Sequence, residues 1–491
     1  MPKVLVANRS EIACRVFQAC RELGFPSVGI CAPGDEQARH LTYADEVVAV
    51  PGYLDIQGVV QAARGVKATM VHPGYGFLSE RSAFVRAIES AGIAFVGPTA
   101  DTMDQMGGKI AAKEIAERAK VPTLPWARVE RGGDLRALAA KVGFPLLLNA
   151  SAGGGGKGMR RVEKPEELEA AAESASSEAM AAFGDGTLFL ERCIDQPRHI
   201  EVQVFGDGLG GGVHLYEREC SLQRRHQKVW EEAPAPHLAA ETRQGLFRAA
   251  MNLVREVKYR SAGTLEFLVD AQGGFYFLEM NTRLQVEHPV TEQVTGTDLV
   301  VAQLLLALKS PKKPEDSPLR EVGAPRGHSI EVRLYAEDPS QDFRPTPGRV
   351  HRLRWPTGTG IRVESGIEEG QEVGISFDSM LAKLIVHAPS RAQAIERMKF
   401  ALDETVILGM GCNQSYLRAL CDHPSVVEGR VDTGFLGREF GKFAPEPSEV
   451  EMSWIEDARR LGLARGGPGS RDSGTRGIPS PWEAFSTRGV R

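Results

Sequence analysis

TLEFLVD (residues 264–270) and FYFLEMN (residues 275–281) flank the short linker AQGG (residues 271–274). Two aromatic-rich and aliphatic runs joined through paired glycines read as an antiparallel β-hairpin. With the turn centred on Gln272 and Gly273, Glu266 and Glu279 fall opposite each other. Asn281 shares their face, because strand side chains alternate. Like charges in a facing pair repel. A solvated face fits poorly here, since Phe267, Phe275 and Phe277 flank the acids and need burial. A cation between the carboxylates removes the conflict. Two carboxylates and an amide oxygen are hard ligands suited to Mg²⁺, or to Mn²⁺, shared with phosphates.

Outward from the hairpin the pattern continues. In NTRLQVE (residues 281–287) every odd position is polar, so an extended chain projects Asn281, Arg283, Gln285 and Glu287 to one side. An arginine beside a carboxylate can hold an anion while the carboxylate takes a proton. An ordinary Arg–Glu surface pair is the other reading of the same residues. Upstream, His199, Glu201 and Gln203 alternate against Ile200, Val202 and Val204, and RRHQK (residues 224–228) crowds Arg224, Arg225, His226 and Lys228 together. In a chain of net charge -5, that local excess of positive charge reads as an anion site. Further upstream, LNASAGGGGKGMR (residues 148–160) follows a strand. Glycines let the backbone approach a phosphate, and Lys157 adds charge, although a flexible turn has the same composition. It is neither a P-loop nor GxGxxG.

The first hundred residues alternate strands and helices: strands at 4–7, 27–32, 69–72 and 93–96, and an amphipathic helix at 10–23. That rhythm predicts a parallel, doubly wound sheet. A new unit opens at Gly107-Gly108-Lys109 with a helix through Lys120, and another near Gly327, with strands at 330–335 and 380–386 and a helix at 391–402. After about Gly441 the chain turns rich in Gly, Ser, Pro and Arg, the composition of a flexible tail. At 42% hydrophobic and 25% charged, the 491 residues have ordinary globular composition. The slight negative charge makes no case for nucleic acid or anionic membranes. Seven cysteines without a CxxC pair point to a reducing, cytoplasmic setting rather than a disulfide framework. The N-terminal MPKVLVANRS is too short in its apolar run for a signal peptide, and no stretch has the apolar length of a membrane span.

Five blocks now stand in order: HPGYGFLSE (72–80), SAGGGGKGMR (151–160), PRHIEVQ (197–203), QRRHQKVWEEAPAP (223–236) and FLEMNTRLQVEHPVTE (277–292). Together they resemble the signature blocks of biotin carboxylases, ligases of the ATP-grasp superfamily. The resemblance runs from Val4 to about Leu436. It implies an α/β and α+β fold: a Rossmann-like domain (1–108), an ATP-grasp domain (109–325) with a mobile lid at about 126–198, a C-terminal α+β domain (326–441), and a tail (442–491). It implies ATP-dependent carboxylation of biotin by bicarbonate through carboxyphosphate, the first half-reaction of an acyl-CoA or pyruvate carboxylase. Acetyl-CoA carboxylase, and with it fatty acid biosynthesis, is one such enzyme. Implied partners are a biotin carboxyl carrier protein, carboxyltransferase subunits and a second copy of the chain.

The resemblance also implies roles. Lys109, Asn149, Gly154, Gly155, Gly156, Lys157, Glu191, His199, Gln223 and His226 match nucleotide-contacting positions. Glu266, Glu279 and Asn281 match the metal region, in agreement with the hairpin. Lys228, Arg283, Gln285, Val286 and Glu287 match the bicarbonate pocket, with Glu287 as general base, and Arg333 matches the arginine that stabilises the biotin enolate.

Two positions depart from the family pattern. Asn149 stands where a phosphate-binding lysine is usual, which opens the alternative of a catalytically weak paralogue serving as a complex subunit. Ser10 stands where glycine is usual, and a serine there is expected to cap the following helix. No Ala-Met-Lys-Met biotinylation motif occurs, and Met398-Lys399 lies in a helical pattern, so biotin is expected on another chain. Trp482, in PWE (481–483), sits in a short match to longer acyl-CoA carboxylase α-chains.

Overall fold

A computed structural model describes residues 1–130, 133–151, 159–225, 227–441 and the single positions 443, 453 and 456. The expected tail and its PWE segment otherwise lie outside the described residues. Residues 1–442 form one compact unit.

The N-terminal segment is the parallel sheet that its rhythm predicts. Strands β1 (Val4–Val6), β2 (Ser27–Cys31), β3 (Glu46–Ala49), β4 (Met70–His72) and β5 (Ala94–Phe95) pair in the order β3-β2-β1-β4-β5. The sequence reading missed β3, an edge strand with three of its four residues exposed. Val28, Ile30, Val59, Val71, Phe84 and Ile88 fill the core on one side. Burying each such side chain contributes roughly 1.5–3 kcal/mol.

The helix expected at 10–23 spans Ser10–Glu22, but Ser10 does not cap it. Arg9 occupies the cap position without a side-chain cap bond, and Ser10 takes φ +61°, a left-handed conformation that favours glycine. The expected capping role is therefore corrected: serine here carries backbone strain. Ser10 sits tight against Gly366, where a Cβ would have no room.

Most of the remaining strands build two antiparallel sheets, and the rest form three two-stranded ribbons. The smaller orders β6 (Trp126–Arg128), β9 (Leu188–Arg192), β7 (Leu146–Ala150) and β8 (Arg160–Val162) as β6-β9-β7-β8. The glycine loop joins β7 to β8, and its residues 152–158 lie outside the described residues.

The larger sheet has eight strands. It runs β14 (Phe275–Asn281), β13 (Arg260–Val269), β10 (Arg198–Asp207), β11 (Gly212–Arg224), β12 (Gln227–Ala233), β15 (His328–Tyr335), then Met380–Ala388 and Ile361–Ser365. One face packs Ile200, Val202, Val204 and Phe267 against Leu246, Ala250 and Leu253 of helix Ala240–Glu256. The apolar spacing of that helix, at i, i+4 and i+7, supplies the stripe the sheet needs. The opposite face carries Glu201, Gln203 and Thr264, equally buried. Antiparallel sheets commonly give such a polar face to solvent. A polar face buried this deeply must satisfy itself internally, which marks it as the site.

Candidate active site

β10, β13 and β14 converge on the hairpin carboxylates. Glu266 pairs directly with Glu279, and Thr264 with Asn281, so all three predicted ligands are adjacent. The register shifts between Glu266 and Phe267, an irregularity that brings the two acids opposite each other. β14 ends at Asn281, so the extended reading of residues 281–287 is corrected. Residues 282–287 form an irregular connection, because Pro289 opens the next helix, His288–Thr295, with Glu287 at its cap. Leu284 turns into the core while Gln285 and Glu287 stay buried on the polar side.

Lys228, on β12, is the hub of the site. Its Nζ donates to Glu201 at 2.6 Å, to Glu266 at 2.9 Å and to Glu287 at 2.6 Å. Burial works against the ammonium, but these three carboxylates outweigh it and hold Lys228 firmly charged. Glu266 also accepts from Asn281 Nδ2 and Gln285 Nε2, each at 2.8 Å. His199 Nε2 lies 3.0 Å from the other Glu266 oxygen, and Gln223 Nε2 bonds His199 Nδ1 at 2.9 Å. Desolvation alone would lower His199, yet the Glu266 charge raises it.

Glu287 bonds Lys228 through one oxygen and Arg333 Nη2, at 3.0 Å, through the other. Burial would push its carboxyl up, but Lys228, Arg333 and Arg218 hold it well below the usual carboxylate range. Arg333, on β15, also pairs closely with Glu231. Arg283 bonds Asn281 Oδ1 at 3.0 Å and lies 3.0 Å from Glu80. The Val286 carbonyl accepts from Lys383 at 2.8 Å. Lys228 bonds Glu287 and shares Glu266 with Gln285, whereas Arg283 reaches Asn281 and Glu80 and the Val286 carbonyl faces Lys383.

Several residues of the site gave no sequence signal of their own. Arg218 is fully buried and donates to Glu201, Gln203, Thr264, Gln285 and Thr291, tying four segments together. In sequence, Glu217-Arg218-Glu219 resembles a solvated charged strand; only its register against Glu201 reveals it. Lys113, one turn after Lys109, is buried against Glu191. Lys383 and Glu231 were likewise silent.

On the nucleotide side, Lys109 opens helix Lys109–Arg118 and is half-buried. Desolvation lowers its pKa, opposed by Glu279 and Glu191. Asn149 of β7 is buried, and its Oδ1 has no hydrogen-bond partner among the described residues. Asn149 and Glu191 lie on neighbouring strands, with Leu147 facing Glu191. Gly154, Gly155, Gly156, Lys157 and His226 lie outside the described residues.

The residues present fit a divalent cation. Glu279 makes no ion pair among the described residues, is exposed, and faces Glu266 directly. Its carboxyl is pushed up first by desolvation and then by the Glu266 charge. A cation between the two relieves that repulsion. A second grouping places one potential ligand atom each from His199, Glu201 and Glu266 within 4.8 Å of one another.

Comparison with known proteins gives the same picture. Family models match for the biotin carboxylase N-terminal domain over residues 1–103, the carbamoyl-phosphate synthase L chain ATP-binding domain over 108–313, and the biotin carboxylase C-terminal domain over 331–438. The chain is 43% identical over 490 residues to the propionyl-CoA carboxylase alpha chain of Ruegeria pomeroyi, covering 94% of this chain and 71% of that one. It is 45% identical over 443 residues to a methylcrotonoyl-CoA carboxylase alpha subunit of Dictyostelium discoideum, covering 88% of this chain and 63% of that one. A biotin carboxylase from a Nostoc species is 42% identical over 445 residues, covering 88% of this chain and 98% of that one. Among solved structures, Campylobacter jejuni biotin carboxylase superposes with a TM-score of 0.84 at 41% identity, covering 89% of this chain and 98% of that one. The biotin carboxylase domain dimer of Hydrogenobacter thermophilus 2-oxoglutarate carboxylase, in complex with MgADP and bicarbonate, gives 0.85 at 42% identity, covering 90% and 99%.

Proposed function

This chain belongs to the biotin carboxylase family, and on that premise we propose that it uses ATP and bicarbonate to carboxylate biotin held on a separate carrier protein. The observation that carries the proposal is the buried run Lys228–Glu287–Arg333, in which one carboxylate is held ionised between two cations. A residue so arranged can accept a proton while its partners hold an anion.

The chemistry follows from that geometry. Lys228, Arg283 and the Gln285 amide hold bicarbonate beside Glu287. Glu287 takes the bicarbonate proton as the bicarbonate oxygen attacks the γ-phosphoryl of ATP, giving carboxyphosphate and ADP. Lys109 and Lys157 offset charge on the phosphoryl in transfer. Glu266, Glu279 and Asn281 would hold Mg²⁺, which would supply further electrostatic stabilisation to that transfer. Carboxyphosphate breaks down to CO₂ and phosphate. Phosphate takes the biotin N1 proton, and the ureido nitrogen attacks CO₂ while Arg333 stabilises the oxygen that gains charge. Glu191, His199, Gln223 and His226 are assigned to the nucleotide.

We further assign the domains as 1–108, 109–325 with a lid at about 126–198, and 326–441. The proposed partners are a biotin carboxyl carrier protein, carboxyltransferase subunits and a second copy of the chain. The chain spans 71% and 63% of two alpha chains it resembles, a propionyl-CoA and a methylcrotonoyl-CoA enzyme, and we propose service to an acyl-CoA carboxylase. Among the described residues no helix is long and apolar enough to cross a membrane, and a cytoplasmic location is proposed. The second reading, a complex subunit with weak turnover, rests on Asn149 standing where the family pattern usually has a phosphate-binding lysine. The test is ATP-dependent transfer of labelled bicarbonate to a biotinylated carrier protein. Label on biotin supports the proposal, and complex formation without label favours the second reading.

A further inference from the structure

Behind the Lys228 hub the sheet carries another pair of facing acids. Glu231 of β12 is registered directly against Glu331 of β15, and both side chains are fully buried. Facing residues on antiparallel strands are close neighbours, so two ionised carboxylates here would repel strongly in a weakly screening interior.

The two acids are not equally served. Arg333 forms a close ion pair with Glu231, whereas Glu331 makes no ion pair among the described residues; neither carboxylate has a further hydrogen-bond partner there. The groups around Glu331 come from every element packed there. They are Glu231 from β12, Arg333 from its own strand, Lys383 from Met380–Ala388, Glu364 from Ile361–Ser365, and Tyr75 from the segment after β4. Glu287 and His288 begin the helix lying over β12 and β15. The cations are already engaged. Lys383 Nζ holds Glu364 at 2.6 Å and the Val286 carbonyl at 2.8 Å, and Arg333 holds Glu231 and Glu287. A buried carboxylate with no partner resolves its desolvation by keeping a proton.

We propose that Glu331 is held as a neutral carboxylic acid beside ionised Glu231, and that this carboxyl pair positions Arg333 for the oxyanion that develops on biotin. With Glu331 neutral, the guanidinium answers only Glu231 and Glu287, and Glu287 is shared with Lys228. An ionised Glu331 would be a third anion beside Arg333, competing for it with the substrate oxygen. Desolvation first, and then the Glu231 charge, raise Glu331 well above the ordinary carboxyl value, which agrees with this assignment. Burial acts on Glu231 in the same direction, and there Arg333 opposes it. The two acids titrate as a pair, with the proton on the member that lacks the arginine. The inference rests on the assigned role of Arg333 and adds two positioning residues to it.

The first test needs no turnover, so it stands whether or not the catalytic reading holds. The infrared difference spectrum of the full chain at neutral pH, wild type minus Glu331→Gln, is expected to show a protonated-carboxyl C=O band. Glu331→Asp is expected to keep such a band. The second test is the pH dependence of biotin-stimulated kcat. Wild-type kcat is expected to fall about tenfold per pH unit once Glu331 ionises, and Glu331→Gln, which cannot ionise, to lose that fall. Glu231→Gln removes the neighbouring charge and is expected to move the fall to lower pH. Absence of the band, or an alkaline fall that persists in Glu331→Gln, overturns the proposal.

Discussion

Replacing Lys228 by glutamine removes a cation bonded to three buried carboxylates at 2.6–2.9 Å. Unit charges about 4 Å apart attract by about 4 kcal/mol at an effective dielectric of about 20. Arg333 and Arg218 remain near Glu287, and water enters the gap, so the net loss is smaller than three such terms. Breaking a buried ion pair from one side costs about 3–5 kcal/mol, which is the expected destabilisation. The effect on Glu287 has a definite sign. Its carboxyl is depressed by Lys228, Arg333 and Arg218 against burial, so in the wild type it is ionised throughout the neutral range. Loss of Lys228 raises it by about 1–3 pH units, since each unit corresponds to about 1.4 kcal/mol. Because Glu287 starts well below the usual carboxylate range, a rise of that size leaves it ionised at neutral pH, so the substitution is read in kcat rather than in an acid limb. At the optimum, loss of an anion-holding cation lowers kcat by roughly 10²–10³-fold. The assay is bicarbonate-dependent ADP release between about pH 5 and about pH 9, with thermal melts alongside. A folded Lys228→Gln protein that keeps wild-type kcat refutes the role given to Lys228 beside Glu287.

Other expectations follow from the same structure. Asn149→Lys restores a charge-assisted phosphate contact of about 1.5–3 kcal/mol, so the KM for ATP falls about tenfold to hundredfold in steady-state kinetics. Ser10→Gly relieves a left-handed serine at about 1–2 kcal/mol, less about 0.5–1 kcal/mol for the freer unfolded chain; urea unfolding should show a net gain of about 0.5–1 kcal/mol. Glu232 is buried, which would raise its carboxyl, but His328 and Arg391 lower it from 4.5 to about 2. A depressed acid adds stability above its unfolded pKa and loses it as pH falls through the folded one. Urea unfolding should therefore show about 3 kcal/mol lost between about pH 4.5 and about pH 2, a loss absent in Glu232→Gln.

The parts of the molecule legible in sequence are those whose signal is local. Alternation exposed β10 and the hairpin, while the facing of Glu266 with Glu279 depends on a register shift beside Phe267 that the sequence did not show. The βαβ rhythm gave the N-terminal sheet. What stayed hidden depends on contacts between distant segments. Arg218 reads as surface charge until β11 is registered against β10 and helix His288–Thr295 covers it. Glu331 stood beside Arg333 in plain view, but its isolation depends on Lys383 being held by Glu364, a strand further on. Ser10 was misread because a serine before a helix usually caps it, whereas here Ser10 itself is left-handed, follows an extended Arg9 and lies against Gly366. Residues 282–287 kept strand-like alternation without strand geometry, because Pro289 ends the extended run. Met398 faces the core and Lys399 bonds Glu396 and Asp422, as an ordinary helix face requires.

The central claim is tested most directly by ADP release from the purified chain, with bicarbonate and free biotin each added and withheld. The account predicts ATP cleavage that requires bicarbonate and rises with biotin, because proton acceptance by Glu287 and oxyanion stabilisation by Arg333 belong to successive steps. ATP cleavage indifferent to both additions, in a folded protein and in its Asn149→Lys variant alike, would contradict it.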